Sequence, residues 1–294
     1  MGSIDENKDT WDITYDWTAQ GDEWSEPWGG VDMQWTGCLL PRMHAFVPAP
    51  TILEIAPGYG RWTQYLKEMC DRLIVVDCAE NCIKACEQRF ASSDNIEYHV
   101  NDGRSLAMVP DGAVDLVFSF DSLVHAEADV IEAYLTQLAD KLTPNGVGFI
   151  HHSNIGEFKD YYTRVKSPKT SSPLDKLSHV RGVWRVAKMF DNSPPPEDTI
   201  DHWRAYSMTA TKFNELAEKA GLRCLSQEII NWRTSPEIQI DCISTFTRKG
   251  SSWERPNQVL VNRGFMDETN AIAKLARLYG SASFPRVQPE PARR

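Results

Sequence analysis

The sequence has no apolar run approaching the ~20 residues that a membrane-crossing helix needs. Its start, "MGSIDENKDTWD", has neither the basic head nor the apolar centre of a secretory signal, and Glu6 stands where a myristoylation motif wants Ser or Thr. Positive charge is scarce: 31 Lys and Arg face 41 Asp and Glu, a net charge of −10. That balance argues against a nucleic-acid partner gripped through its phosphates. Paired cysteines are missing too. The 7 cysteines form an odd set with no Cys-x-x-Cys spacing, so neither a disulfide framework nor a zinc site is expected. Cys78, Cys82 and Cys86 recur at steps of four, which stacks small side chains on one helix face turned to a core. These absences predict a cytoplasmic protein without a membrane anchor, acting on a small molecule.

Aromatic residues are plentiful and unevenly placed. Of 10 tryptophans, Trp11, Trp17, Trp24, Trp28 and Trp35 fall within residues 1–50. That stretch is too aromatic for a disordered tail, and is expected as an ordered extension, either a brace or a cover over the mouth of the main domain.

From 51 to 152 strand and helix patterns alternate. "TILEIA", "RLIVVD", "IEYHV", "VDLVFSF" and "VGFIHH" read as strands; 61–70, 80–91 and "DVIEAYLTQLADKL" read as helices, and "TPNG" as a turn. Such alternation predicts an α/β fold with a parallel, doubly wound sheet and right-handed crossovers. A Pro- and Ser-rich insertion, 153–206, follows the fifth strand and is assigned to substrate recognition, because loops at the carboxyl ends of strands line the ligand crevice. A capped helix (207–221) and two strands ("LRCLSQEIINW", "IQIDCISTFTRK") come next. The tail, 251–294, holds one helix, "DETNAIAKLARLYG".

The sharpest motif is "TILEIAPGYGRWTQYL". A strand-to-helix turn aims backbone N–H groups at a ligand, and Gly58 and Gly60 permit close approach. The Walker lysine and the third dinucleotide-binding glycine are absent, which argues against a nucleotide triphosphate and a nicotinamide cofactor. Glu54 ahead of the glycines suits an amine-bearing ligand. Asp77, ending the second strand, suits ribose hydroxyls. Asp102 after the third strand suits an exocyclic amine. Amine, ribose and adenine together describe S-adenosylmethionine.

On these residues the segment 50–250 resembles the class I S-adenosylmethionine-dependent methyltransferases. "LEIAPGYG" is similar to their Glu-x-Gly-x-Gly-x-Gly loop, with Ala56 in place of the first glycine. "VVDCAE", through Asp77 and Cys78, resembles their second motif, and "VNDGRSL", through Asp102 and Gly103, their adenine motif. The resemblance implies a seven-stranded sheet with a reversed last strand, and Phe120 beside the cofactor.

For the acceptor, Asp121 and His125 follow the fourth strand, His151 and His152 close the fifth, and Asp201, His202, Trp203, Arg204 and Tyr206 follow the insertion. His152, His125 and Asp121 are the expected catalytic set. Because alternation sends His151 and His152 to opposite faces, only one of them serves the site, and His152 is nearer the strand tip. Asp121, His152 and Asp241 could hold Mg²⁺, which favours carboxylate oxygens and would acidify a bound hydroxyl. With Trp35, Trp62, Trp184, Trp203 and Trp232 as flat walls, the pattern resembles bacterial, mycobacterial-type sugar O-methyltransferases. A carbohydrate hydroxyl is the expected acceptor, with a small amine or phenol, or cofactor binding without catalysis, as alternatives. The tail helix and aromatic N-terminus are a candidate homodimer contact.

Overall fold

A computed structural model describes residues 3–166 and 200–280. One sheet runs in the order β3-β2-β1-β4-β5-β7-β6-β8. Its strands are β1 (Ala49–Ile55), β2 (Cys70–Asp77), β3 (Ile96–Val100), β4 (Val114–Ser119), β5 (Leu142–Ser153), β6 (Leu222–Ile230), β7 (Asp241–Arg248) and β8 (Gln258–Asn262). Only β7 is reversed, antiparallel to both β5 and β6. The expected doubly wound sheet is therefore present, with an eighth strand beyond the seven expected. β8 pairs in parallel with β6. Its short "QVLVN" run has Val259, Leu260 and Val261 in sequence and all exposed, so no alternating pattern marks it.

The central strands are buried on both faces, which requires apolar residues at consecutive positions. Ile52 and Leu53 in β1, and Leu116 and Val117 in β4, are fully buried. One face packs against Trp35, Met43 and Trp62. The other packs against the helix Ala128–Lys141, which buries Val130, Ile131, Tyr134, Leu135 and Leu138 along one stripe. Each such side chain stabilises the fold by roughly 1.5–3 kcal/mol, and truncating Leu135 to Ala would cost ~2–5 kcal/mol. The helix Ala210–Lys219 starts on a Thr209 cap whose hydroxyl accepts from Lys212 N–H, and the chain turns away at Gly221 with φ +82°.

Two local expectations change. Residues 143–146 do not separate helix from strand. They lie inside β5, where pairing with β4 jumps from Leu142 to Val147, a bulge in a continuing strand. The expected helix over 61–70 shrinks to Thr63–Leu66, because Cys70 already opens β2.

The N-terminal extension packs on the main domain in two parts. Its second half is clamped from below. Arg42 donates from Nε and Nη2 to Glu228 and from Nη1 and Nη2 to Glu268, all at 2.7–2.8 Å. Trp28 is buried against Trp232 and against Phe265 of the helix Phe265–Tyr279. The first half, residues 4–24, lies over the carboxyl ends of the strands. Of the insertion, 167–199, including Trp184, lies outside the described residues.

Candidate active site

A cavity of about 110 Å³ opens at the carboxyl ends of β1, β2 and β4. Its floor is the turn after β1. Ala56 has φ +58° and Gly58 φ +59°. Both line the cavity. A left-handed alanine is strained by roughly 1–2 kcal/mol, and it is held by two bonds. Ala56 N–H donates to the Val76 carbonyl at 2.8 Å, and its carbonyl accepts from Ser122 Oγ at 2.7 Å. Ala56 thus adopts a left-handed conformation that glycine would take without strain.

Asp77 reaches the cavity from the tip of β2. Its carboxylate accepts from Ala79 N–H at 2.9 Å and from Gly58 N–H at 3.3 Å. Burial pushes its pKa up to about 6, against the pull of those backbone donors. Cys78, Gly103, Phe120, Asp121 and His125 also line the cavity. Val76, Val130 and Tyr134 add an apolar wall beside Gly103. An acid suited to a ribose diol beside a flat apolar slot fits an adenosine group.

Three expected cofactor residues do not line the cavity. Glu54 is fully buried beneath the turn, where its Oε2 accepts from Thr63 Oγ1 at 2.6 Å. Burial raises its pKa to about 8. It anchors the loop from below. Gly60, with φ +84°, packs so closely on Phe90 that a Cβ would lie 2.5 Å from that ring. Asp102 is exposed and turned back on its own loop, accepting from Arg104 and Ser105 N–H. Gly103 meets the cavity in its place, with Ile4 of the extension against it.

The acceptor side differs more from expectation. His152 faces away from the cavity. One ring nitrogen donates to the Ser153 carbonyl at 2.9 Å, the other lies 2.8 Å from Ser244 Oγ, and the ring stacks on Phe213 at 4.2 Å. Burial lowers its pKa to about 3. The register explains this: His152 pairs with Cys242 and Ser153 with Asp241, so the pleat puts His152 and Asp241 on opposite faces. His151 takes the side expected for its neighbour. Its Nδ1 accepts from Asp121 N–H at 3.2 Å, its Nε2 is 3.2 Å from Asp241 Oδ2, and its ring stacks on Phe120.

Asp241 is not an open ligand. Arg204 grips it with Nε at 2.9 Å and Nη2 at 2.7 Å. Burial opposes its ionisation, but Arg204 and His151 outweigh that and hold its pKa below the carboxylate range. Asp121, itself at φ +64°, accepts from Arg61 Nη2 at 2.8 Å and lies 3.8 Å from Arg204. Guanidinium groups thus neutralise both carboxylates, and His152 is on the wrong face to join them. Among the described residues no cluster of His, Cys, Asp or Glu could hold a metal ion, so the expected Mg²⁺ set is not assembled. His125 Nδ1 donates to the Trp203 carbonyl at 3.0 Å, and burial lowers its pKa to about 4.

The roof is aromatic. Trp11, Tyr15, Trp17 and Trp24 contact one another with centroids 4.9–6.1 Å apart. Trp11 also packs on His125 at 5.3 Å. Arg61 is absent from the residues expected at the site, and of the two adjacent histidines the expectation favoured His152 over His151. Arg61 had one signal, a cation placed directly after the glycines where a helix begins. His151 had none short of the strand register.

Residues 52–146 match a family model described as a methyltransferase domain. Over 149 residues the chain is 28% identical to phosphoethanolamine N-methyltransferase 3 of Arabidopsis thaliana, covering 48% of this chain and 30% of that protein. It is 27% identical over 149 residues to phosphoethanolamine N-methyltransferase 1 of Triticum aestivum, covering 47% and 30%. The chain thus spans about a third of the length of these curated relatives. An S-adenosylmethionine-dependent methyltransferase of Leishmania major shares the fold, with a TM-score of 0.53 at 10% identity over 83% of this chain and 82% of that one. The segment around the glycine turn is therefore similar to a methyltransferase domain, and the chain shares the fold of an S-adenosylmethionine-dependent enzyme.

Proposed function

We propose that the protein transfers a methyl group from S-adenosylmethionine to the nitrogen of a small amine, with ethanolamine phosphate and its relatives as the first acceptors to try. The bound cofactor supplies an electrophilic methyl on a sulfonium. The chain's own residues hold and orient. Asp77 accepts from the ribose hydroxyls, the turn at Ala56 and Gly58 fixes the approach, and the tryptophan roof keeps water from the reacting centre.

The observation that carries the amine reading is the pairing of an aromatic enclosure with the lack of an open base among the described cavity residues. Asp121 is engaged by guanidinium groups, and His125 is neutral with its basicity reduced. A sugar hydroxyl must lose its proton as it attacks, which needs a positioned base. An amine in its free-base form already carries its lone pair, and the methylated cation that results is attracted to aromatic faces. The curated relatives, named for N-methylation of an amino alcohol phosphate, support the same choice. The tryptophans would equally stack on a sugar ring, so carbohydrate O-methylation is the second reading.

A labelled-methyl screen over small amines, sugars and phenols tests this, each with Mg²⁺ and with chelator. Incorporation into amines at a chelator-independent rate is expected. Label entering only hydroxyl acceptors, or only with Mg²⁺, would overturn it.

A further inference from the structure

We infer that Arg61 forms a carboxylate-binding subsite in the cavity. This rests on the proposed reading of the cavity as a cofactor and acceptor site. Arg61 follows Gly60 and is 4% exposed. Its guanidinium lies between two indoles, 4.6 Å from the Trp62 ring and 5.1 Å from Trp24. Nη2 donates to Asp121 at 2.8 Å. Nη1 is buried and has no hydrogen-bond partner among the described residues, although Arg61 is part of the cavity wall.

A buried guanidinium N–H left unpaired is costly. Solvent does not relieve it at this exposure. Asp121 does not satisfy it, since its Oδ2 takes Nη2 and its Oδ1 is placed on the side of Arg204, 3.8 Å away. The two indoles hold the guanidinium plane fixed, so the orphan donor presents a set direction. A planar fork held this way selects a planar anion, and a carboxylate matches it. Two sources could bring one: the amino-acid tail of the cofactor, or an acidic acceptor such as an amino acid.

Calorimetry separates these sources. The probes are S-adenosylhomocysteine, its decarboxylated analogue, and glycine added to the S-adenosylhomocysteine complex. The variant is Arg61→Met, which keeps the stem between the rings. If the cofactor is the source, Arg61→Met weakens S-adenosylhomocysteine ~10–100-fold and leaves the decarboxylated analogue within about threefold, a retained affinity that also shows the variant folded. If the acceptor is the source, that loss falls on glycine instead. Arg61→Lys, which keeps charge but not the fork, recovers part of either loss. Equal weakening of every probe, or no change in any, overturns the subsite. Wild-type protein that binds neither adenosyl ligand would instead defeat the proposed function.

Discussion

Trp17 and Tyr59 lie face to face, with ring centroids 4.5 Å apart and planes 4° from parallel. Tyr59 belongs to the glycine turn and Trp17 to the extension above it, so this stack fastens cover to floor. Trp17 is itself held by its Nε1, which donates to the Trp11 carbonyl at 2.8 Å. Such a pair contributes ~0.5–1.5 kcal/mol beyond its buried area. Trp17→Ala should therefore speed dissociation of S-adenosylhomocysteine about 3–10-fold, read by stopped-flow fluorescence. Gly58→Ala should weaken the same ligand, since its Cβ would stand 2.8 Å from Trp17. Combining the two should shrink the Gly58→Ala effect without abolishing it, because the left-handed backbone strain stays. Strict additivity would show that Trp17 does not press on the turn.

Asp77 should set a pH dependence for ligand binding. Its pKa is raised to about 6 by burial, and the ionised carboxylate is the better acceptor for a diol. Affinity for S-adenosylhomocysteine should fall as pH drops from 7 to 5, and the profile should flatten in Asp77→Asn. An equally steep profile in that variant would assign the titration to another group.

Glu54 makes a separate prediction, about stability. Its folded pKa, about 8, lies above its ordinary 4.5. The folded state therefore holds its proton more tightly than the unfolded chain. Stability from this group is complete below pH ~4.5 and lost as pH rises through about 8. Glu54→Gln should match the wild type near pH 5 and exceed it near pH 8, by a few degrees in Tm. Thermal melts at the two pH values measure it, and a pH-independent difference would refute the assignment.

His152 and Asp241 should respond differently to substitution. His152→Ala loses the Phe213 stack and two buried hydrogen bonds, at a cost of roughly 2–4 kcal/mol, with methyl transfer by the folded fraction changed less than about threefold. Asp241→Asn leaves Arg204 buried without its full counter-charge and should cost roughly 3–5 kcal/mol. Denaturant unfolding beside a transfer assay distinguishes them. A transfer defect at His152 that exceeds the folded fraction's loss would restore it to the site.

Local signals made the sheet legible. Consecutive apolar residues ending on Glu54, Asp77 and Ser119, each followed by turn residues, fix parallel strands whose tips share one rim. The cavity's cofactor side followed, because Ala56, Gly58, Asp77, Gly103 and Phe120 lie within a few residues of those tips. The acceptor side did not, because it depends on long-range pairing. Which of His151 and His152 shares a face with Asp241 is decided by strand pairing: Ser153 stands opposite Asp241, some 90 positions later, and His151 lies two residues before Ser153 on the same face. That Asp121 and Asp241 are neutralised depends on Arg61 and Arg204 arriving from separate segments. Nor did the sequence distinguish an acid that touches ligand from one that anchors a loop, as Glu54 and Asp102 show.

Because β7 runs against its neighbours, its first residue, not its last, arrives where the parallel strands end. Asp241 therefore stands beside His151 and Arg204 despite opening its strand. The segment matched to the methyltransferase family stops at residue 146, yet the charge balance beneath the cavity is completed by residues 151, 204 and 241. The segment similar to the family and the unit that electrostatics closes have different borders. A fragment cut at the first border would keep the glycine turn but strand Asp121 without Arg204 beside it.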